Sequence, residues 1–366
     1  MVVFGTRPEA IKLLPVVKEL KKHPTDFETI VCVTAQHREM LDQVLELFNV
    51  KADYDLDIMQ KNQTLSSLTA NIIKKIDPII LKMQPDFILV QGDTTTTFVA
   101  SLVSFYHRIN VLHVEAGLRT NDKYSPFPEE INRRITSAMA YHHFAPTEEA
   151  RQNLLAENYP DHKISVTGNT TIDSLFYTLA KNTNALFTIA GLDESILNKR
   201  IVLITGHRRE NFGQGFLNIC NAIKSLSSIF PDINFIYPVH LNPNVRQPVF
   251  ELLSDRENVY LIDPLGYREF IYLMEKSSLI LTDSGGIQEE APSIGKPLIV
   301  MRDTTERPEV IKQGAAVLVG TELEKIVAAS KKLLESEIEY NKVAQVRHIY
   351  GNGTSSEKIV QTIRKF

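Results

Sequence analysis

At 366 residues the chain is longer than one hydrophobic core usually organises, so two domains are expected. It is 43% hydrophobic and 23% charged, as ordinary soluble globular proteins are. A net charge of −4 weighs against nucleic acid or an anionic membrane as a partner, since both need a concentrated positive field.

Short Val- and Ile-rich runs alternate with amphipathic stretches, the pattern of βαβ units around a parallel sheet. In chain order, strands are expected over 2–5, 29–35, 87–92, 111–115, 142–146 and 164–168. A second series follows over 201–207, 234–240, 259–263, 279–283, 297–301 and 316–320. Helical spacing fills intervals such as 8–23 and 65–83. The two series share count and rhythm, which predicts two doubly wound domains whose strand carboxyl ends face a cleft. The polar turn after Gly168-Asn169 sets the expected boundary, giving domains 1–168 and 169–353. A last helix, 354–366, follows the Gly351-Asn352-Gly353 break and is expected to return to the first domain. Cys32 and Cys220 lie far apart in apolar runs without metal-ligand spacing, no run is long and apolar enough to span a bilayer, and no signal peptide is seen. A cytoplasmic protein with reduced thiols and no metal is expected.

The polar motifs fall where strands end. Gly5-Thr6-Arg7-Pro8 closes the first strand and opens a helix; Arg7 beside that positive helix end reads equally as a phosphate ligand or a surface cation. Asp93 ends the 87–92 strand and Glu115 the next. Either alone reads as a helix cap or turn residue, but two carboxylates at neighbouring strand ends are harder to dismiss. Glu129 and Arg133, spaced i,i+4 on a helix opened by Pro128, are expected to share a face as an ion pair. In the second half, His207-Arg208-Arg209 at a strand end reads as a phosphate site rather than a metal site. Ser284-Gly285-Gly286 joins a strand to a helix that carries Glu290. The glycines would let backbone N–H groups approach a pyrophosphate, with Glu290 in reach of ribose hydroxyls. Arg307 is a further anion ligand or a surface salt bridge. No G-x-G-x-x-G and no Walker loop is present, so no dinucleotide cofactor is expected.

With these residues in view, the chain closely resembles the non-hydrolysing UDP-N-acetylglucosamine 2-epimerases. The matching stretches are GTRPEAIK, TAQHREMLDQ, GDTTTT, HVEAGLRT, YSPFPEEINRR, TGN, GHRRENFG, YPVHLNPNVR, LTDSGGIQEEAPS and RDTTERPE, spread from residue 5 to about 309. The resemblance implies a GT-B architecture of two Rossmann-like domains, a homodimer and interconversion of UDP-GlcNAc and UDP-ManNAc without a cofactor, supplying ManNAc-type sugars for cell-surface polysaccharide. It places Arg7, His207, Ser284, Gly285 and Gly286 around the diphosphate, Glu290 at the ribose, Phe270 by the uracil and Arg307 at the nucleotide end. Lys12, Asp93, Glu115, Glu129 and Arg133 line the sugar side, and Asp93, Glu115, Glu129, Arg133 and His207 are the implied catalytic set. Gln36, Arg208 and His240 match a second, regulatory UDP-GlcNAc site. Leu265, Glu39 and Asn62 depart from the family pattern, which bears on a nucleotide contact in the first case and on regulation in the others. The chemistry implied is loss of UDP from C1, which acidifies C2–H, followed by protonation of the other face. Alternatives are a GT-B glycosyltransferase, a hydrolysing epimerase that releases ManNAc, and a non-catalytic UDP-sugar sensor.

Overall fold

The computed structural model describes residues 1–35, 38–59, 63–183 and 188–366, the side chains of 38 and 39 excepted. Apart from the two-residue edge strand β3, mostly apolar runs of three to six residues form the strands, because β-branched side chains suit a sheet buried on both faces. Seven lie in the first sheet: β1 (Val2–Phe4), β2 (Val31–Val33), β3 (Tyr54–Asp55), β4 (Phe87–Gln91), β5 (Asn110–Val114), β6 (Ala140–Ala145) and β7 (Ile164–Val166). Six lie in the second: β8 (Arg200–Thr205), β9 (Ile233–Pro238), β10 (Val259–Ile262), β11 (Leu279–Thr282), β12 (Leu298–Val300) and β13 (Ala316–Leu318). Every pairing is parallel.

The strand orders are β3-β2-β1-β4-β5-β6-β7 and β10-β9-β8-β11-β12-β13. Both wind outward from their opening strand and then cross to the other side, so each has a reversal point, between β1 and β4 and between β8 and β11. Ligands of such sheets bind beyond the strand carboxyl ends at that point. The expected strands are all present. The edge strand β3 was not expected, because its two residues are too few and too polar to give a period.

Two compact units result: Met1–Phe176 with Tyr350–Phe366, and Tyr177–Ile349. In the first, Ile72, Ile76 and Ile80 repeat every four residues along the helix Leu65–Met83 and pack with Val3, Ile88 and Val90 of the sheet. In the second, Phe216, Ile219 and Ile223 pack over Val202, Phe235 and Leu281. The last helix, Ser355–Ile363, has no side-chain cap of its own. Its Ser355 and Ser356 N–H groups donate to the buried Asp173 carboxylate at 3.2 and 2.7 Å, while Ile359, Val360 and Ile363 are buried.

Candidate active site

The first sheet's reversal point lies between Gly5, after β1, and Asp93, after β4. A Cβ at Gly5 would stand 2.0 Å from Thr34 Oγ1 and 2.6 Å from Thr96 Oγ1, so glycine lets two threonines bridge over the strand end, 2.9 Å apart. Thr6 caps the helix Arg7–Lys21 in a capping box with Glu9. The Glu9 carboxylate is buried and accepts from Gly5 N, Thr6 N and the Thr94 hydroxyl at 3.1, 2.8 and 2.6 Å. Burial raises the Glu9 carboxyl above its ordinary range, against those hydrogen bonds. The N–H groups expected to attract a phosphate at Gly5 and Thr6 are therefore engaged from within. Arg7 is half-buried, its guanidinium 3.9 Å from the Met40 sulfur.

Beside that helix start the acidic residues converge. Asp93 Oδ2 pairs with Arg133 at 2.6 Å, and the Asp93 carbonyl accepts from Asn132 Nδ2 at 2.9 Å. Burial raises the Asp93 carboxyl, Glu115 adds to the shift, and Arg133 and Lys12 oppose it. Glu115 ends the next strand with φ +62°, a left-handed conformation rare for a non-glycine residue and concentrated at functional sites. Lys12 Nζ reaches both of its oxygens, at 2.6 and 2.8 Å; Asn169 Nδ2 donates at 3.0 Å and Gln91 Nε2 also donates.

One expected pairing is corrected. Arg133 does not pair with Glu129; it pairs with Asp93 and, at 3.2 Å, with Glu130. Glu130 is the better-held partner because it is fully buried and also accepts from Thr120 N and Asn121 N, at 3.1 and 3.3 Å, so its carboxylate is fixed in place. Glu129 Oε2 is left buried with no hydrogen-bond partner. An unpartnered buried carboxylate oxygen is costly, and marks where a proton or a ligand group would be received.

In the second unit the reversal point lies between the turn after β8 and that after β11. Asp283 is wholly buried and organises both: its Oδ2 accepts from His207 N and Arg208 N at 2.9 Å each and from Asn211 Nδ2 at 3.3 Å. His207 stacks on His240 with ring centres 5.2 Å apart and planes 12° apart. Burial lowers the His207 imidazole, Asp283 opposes this, and His240 and Arg208 reinforce it. Ser284 begins the short helix Gly285–Glu290 without a side-chain cap. A Cβ at Gly285 would lie 3.5 Å from Arg208, whereas one at Gly286 would meet nothing within 4 Å. Nothing in the fold therefore demands glycine at 286. Glu290 is buried and accepts from the Tyr267 hydroxyl at 2.6 Å. Arg307 pairs with Glu289, and Phe270 is half-buried on the helix Tyr267–Lys276. Arg302, also buried, is held between Glu210 and Glu306 at 2.5 and 2.9 Å; against burial, Arg302 holds the Glu306 carboxyl down at about 2.

Within the first unit, then, Lys12, Asp93, Glu115 and Arg133 form one connected group, with Glu129 on the same helix as Arg133. Within the second, His207, Arg208, His240 and the 284–286 turn gather around Asp283. Gln36, Asn62 and the Glu39 side chain lie outside the described residues. Sequence reasoning gave no role to Gln91, Asn132, Asn169, Glu130 or Asp283, although each stands beside a motif that it singled out. Among the described residues no cluster of ligating side chains could hold a metal, and no helix is long and apolar enough to cross a membrane.

A family model described as UDP-N-acetylglucosamine 2-epimerase matches residues 18–364. The Salmonella typhimurium protein of that name is 53% identical over 370 residues, covering 100% of this chain and 98% of the relative. Among solved structures, the Neisseria meningitidis UDP-GlcNAc 2-epimerase bound to UDP-GlcNAc is 51% identical with a TM-score of 0.91, covering 100% of this chain and 99% of that one. The Methanocaldococcus jannaschii enzyme, in complex with UDP-GlcNAc and UDP, is 36% identical with a TM-score of 0.82 and the same coverage. Two parallel sheets with matched strand orders, a carboxylate cluster at the reversal point of the first, and these full-length likenesses lead to one conclusion: the chain belongs to the UDP-N-acetylglucosamine 2-epimerase family, a family of isomerases.

Proposed function

We propose that the protein interconverts UDP-GlcNAc and UDP-ManNAc by eliminating UDP to give a 2-acetamidoglucal and adding it back. The observation that carries this reading is the pair of linked ion pairs, Asp93–Arg133 and Glu115–Lys12, at neighbouring strand ends of the first sheet. The C2 proton of the sugar has no adjacent carbonyl to acidify it. When the C1–O bond breaks and its electron pair leaves with the diphosphate, positive charge develops at C1; C2–H then becomes acidic and its electrons form the C1=C2 double bond. A carboxylate takes the proton. Return of a proton to the opposite face of C2, with attack of the diphosphate oxygen on C1, completes the inversion.

In this reading the first domain, 1–168 with 354–366, carries the sugar chemistry, and the second, 169–353, holds UDP. Asp93, Glu115 and Glu129 stabilise the cation and move the proton. Burial raises the Asp93 carboxyl, which suits a group that takes up and releases a proton, and Glu129 offers a buried oxygen that no donor occupies. Arg133 and Lys12 orient them. His207, Arg7, Arg307 and the backbone donors of Ser284, Gly285 and Gly286 stabilise the departing diphosphate, with Glu290 at the ribose and Phe270 at the uracil. The open space at Gly286 supports this, since a phosphate oxygen would occupy the direction a Cβ would take. Arg208 and His240 are the described members of a regulatory nucleotide site. The homodimer, the cytoplasmic location and the supply of ManNAc-type sugars to surface polysaccharide belong to the same reading.

Proton NMR of the purified protein with UDP-GlcNAc alone in D2O is the test. Both epimers should appear, each with deuterium at C2. Unlabelled product would sink the elimination route. Free UDP with ManNAc would identify a hydrolysing enzyme, binding without turnover a sensor, and turnover only with an acceptor a glycosyltransferase.

A further inference from the structure

Resting on the epimerase reading, we propose that Gln91 and Asn169 are positioning residues that, with Lys12, hold Glu115 in one orientation as a permanent carboxylate. Glu115 then stabilises positive charge while proton transfer falls to the other carboxyl groups.

The argument is one of donors and acceptors. A carboxylate offers about four lone-pair directions, and a protonated one must spend one of them on an O–H that needs an acceptor. Glu115 Oε1 receives Lys12 at 2.6 Å and Asn169 Nδ2 at 3.0 Å. Oε2 receives Lys12 at 2.8 Å and Gln91 Nε2. These four contacts are all from N–H donors, so a proton on either oxygen would meet a donor at each of them. The orientation of the Asn169 amide is fixed independently, because its Oδ1 accepts from Thr171 N at 3.1 Å and its Nδ2 is thereby turned to Glu115. The backbone is fixed as well: Asn169 N donates to the Tyr350 carbonyl at 2.6 Å. Asp93 and His113 also feel the Glu115 charge. His113 Nε2 donates to the Gly92 carbonyl at 2.8 Å, and burial drives its pKa down to about 4, so it stays neutral near pH 7. Asp93, bonded to Arg133 by one oxygen and raised by burial, and Glu129, with one unpartnered oxygen, lack the surplus of donors that Glu115 has.

The test is the pH dependence of kcat for UDP-GlcNAc epimerisation in two variants. Asn169→Asp keeps the volume and the acceptor for Thr171, but sets a second carboxyl against Glu115. At low pH the shared proton sits between them and mimics the amide donor; at high pH both ionise and repel. The deficit in kcat should therefore widen as pH rises. Gln91→Met removes one donor from Oε2, so kcat should fall about tenfold, with its acid limb moved to higher pH and KM within about twofold of the parent. A merely structural role would lower activity by the same factor at every pH. Variant profiles that keep the parent shape overturn the proposal. If Gln91→Met does not fold, the Asn169→Asp profile decides alone. An unmodified protein that fails to epimerise UDP-GlcNAc sinks the epimerase reading, a result distinct from either variant outcome.

Discussion

Asp93 and Glu115 could be picked out because a carboxylate at the end of an apolar run conflicts with strand preference, and two such conflicts stood side by side. Their donors could not. Gln91 reads as the last residue of a strand and Asn169 as a turn residue, and only folding brings them to one carboxylate from 24 and 54 residues away. The Arg133 pairing shows the same limit: helical spacing offered Glu129, but a buried carboxylate three residues away and another 40 residues upstream were the better partners. At this scale two outcomes follow. Asp93→Asn should lower kcat by a factor of about 10² to 10⁴ while UDP affinity by calorimetry stays near the parent value. Gly286→Ala should leave the melting temperature unchanged or slightly raised, since alanine is the better helix former by about 1 kcal/mol, yet weaken UDP binding, because the added methyl enters space that the fold leaves empty.

The elements were legible wherever apolar residues ran long enough to show a period. Every expected strand formed, while the polar two-residue β3 gave no signal. Helix starts were legible from Thr6 and Pro8, and the Thr6-to-Glu9 spacing is that of a capping box, but the bonds that Thr94 and Thr97 add to the Glu9 carboxylate from across the sheet were not legible. The last helix was legible from the glycine break before it, but its anchor was not, because Asp173 lies 182 residues upstream of the N–H group it receives. Asp173→Ala should cost about 1–2 kcal/mol, the usual range for loss of a helix cap, read as a drop in urea midpoint. It should also speed amide exchange of residues 355–363 ahead of the sheet.

For the molecule as a whole, composition and the repeated strand rhythm were enough to give two doubly wound sheets, because parallel βαβ units admit few other arrangements. Its response to acid was not legible, since the histidines concerned look like any others in the sequence. His113, His142 and His143 are buried in β5 and β6, and burial lowers them to about 4, 4 and 3. The unfolded chain binds protons at these groups from about pH 6.5 downward while the folded one does not. Stability is therefore complete above that pH and should fall as pH drops through 6 towards 4, at up to about 1.4 kcal/mol per pH unit per histidine. Urea titrations at pH 7 and pH 5 check this: a midpoint higher at pH 5 would refute it.

The Glu9 side chain has a consequence for how a sugar nucleotide enters. A diphosphate arriving at the turn after β1 meets donors already matched with an anion that can never diffuse away, and no cellular concentration of metabolite competes well with a group attached three residues along the same chain. Among the described residues the helix that follows β11 starts with no side-chain cap on its N–H groups. A Glu9→Gln protein would keep an acceptor for those N–H groups yet lose the fixed charge, so the turn after β1 would repel an arriving anion less.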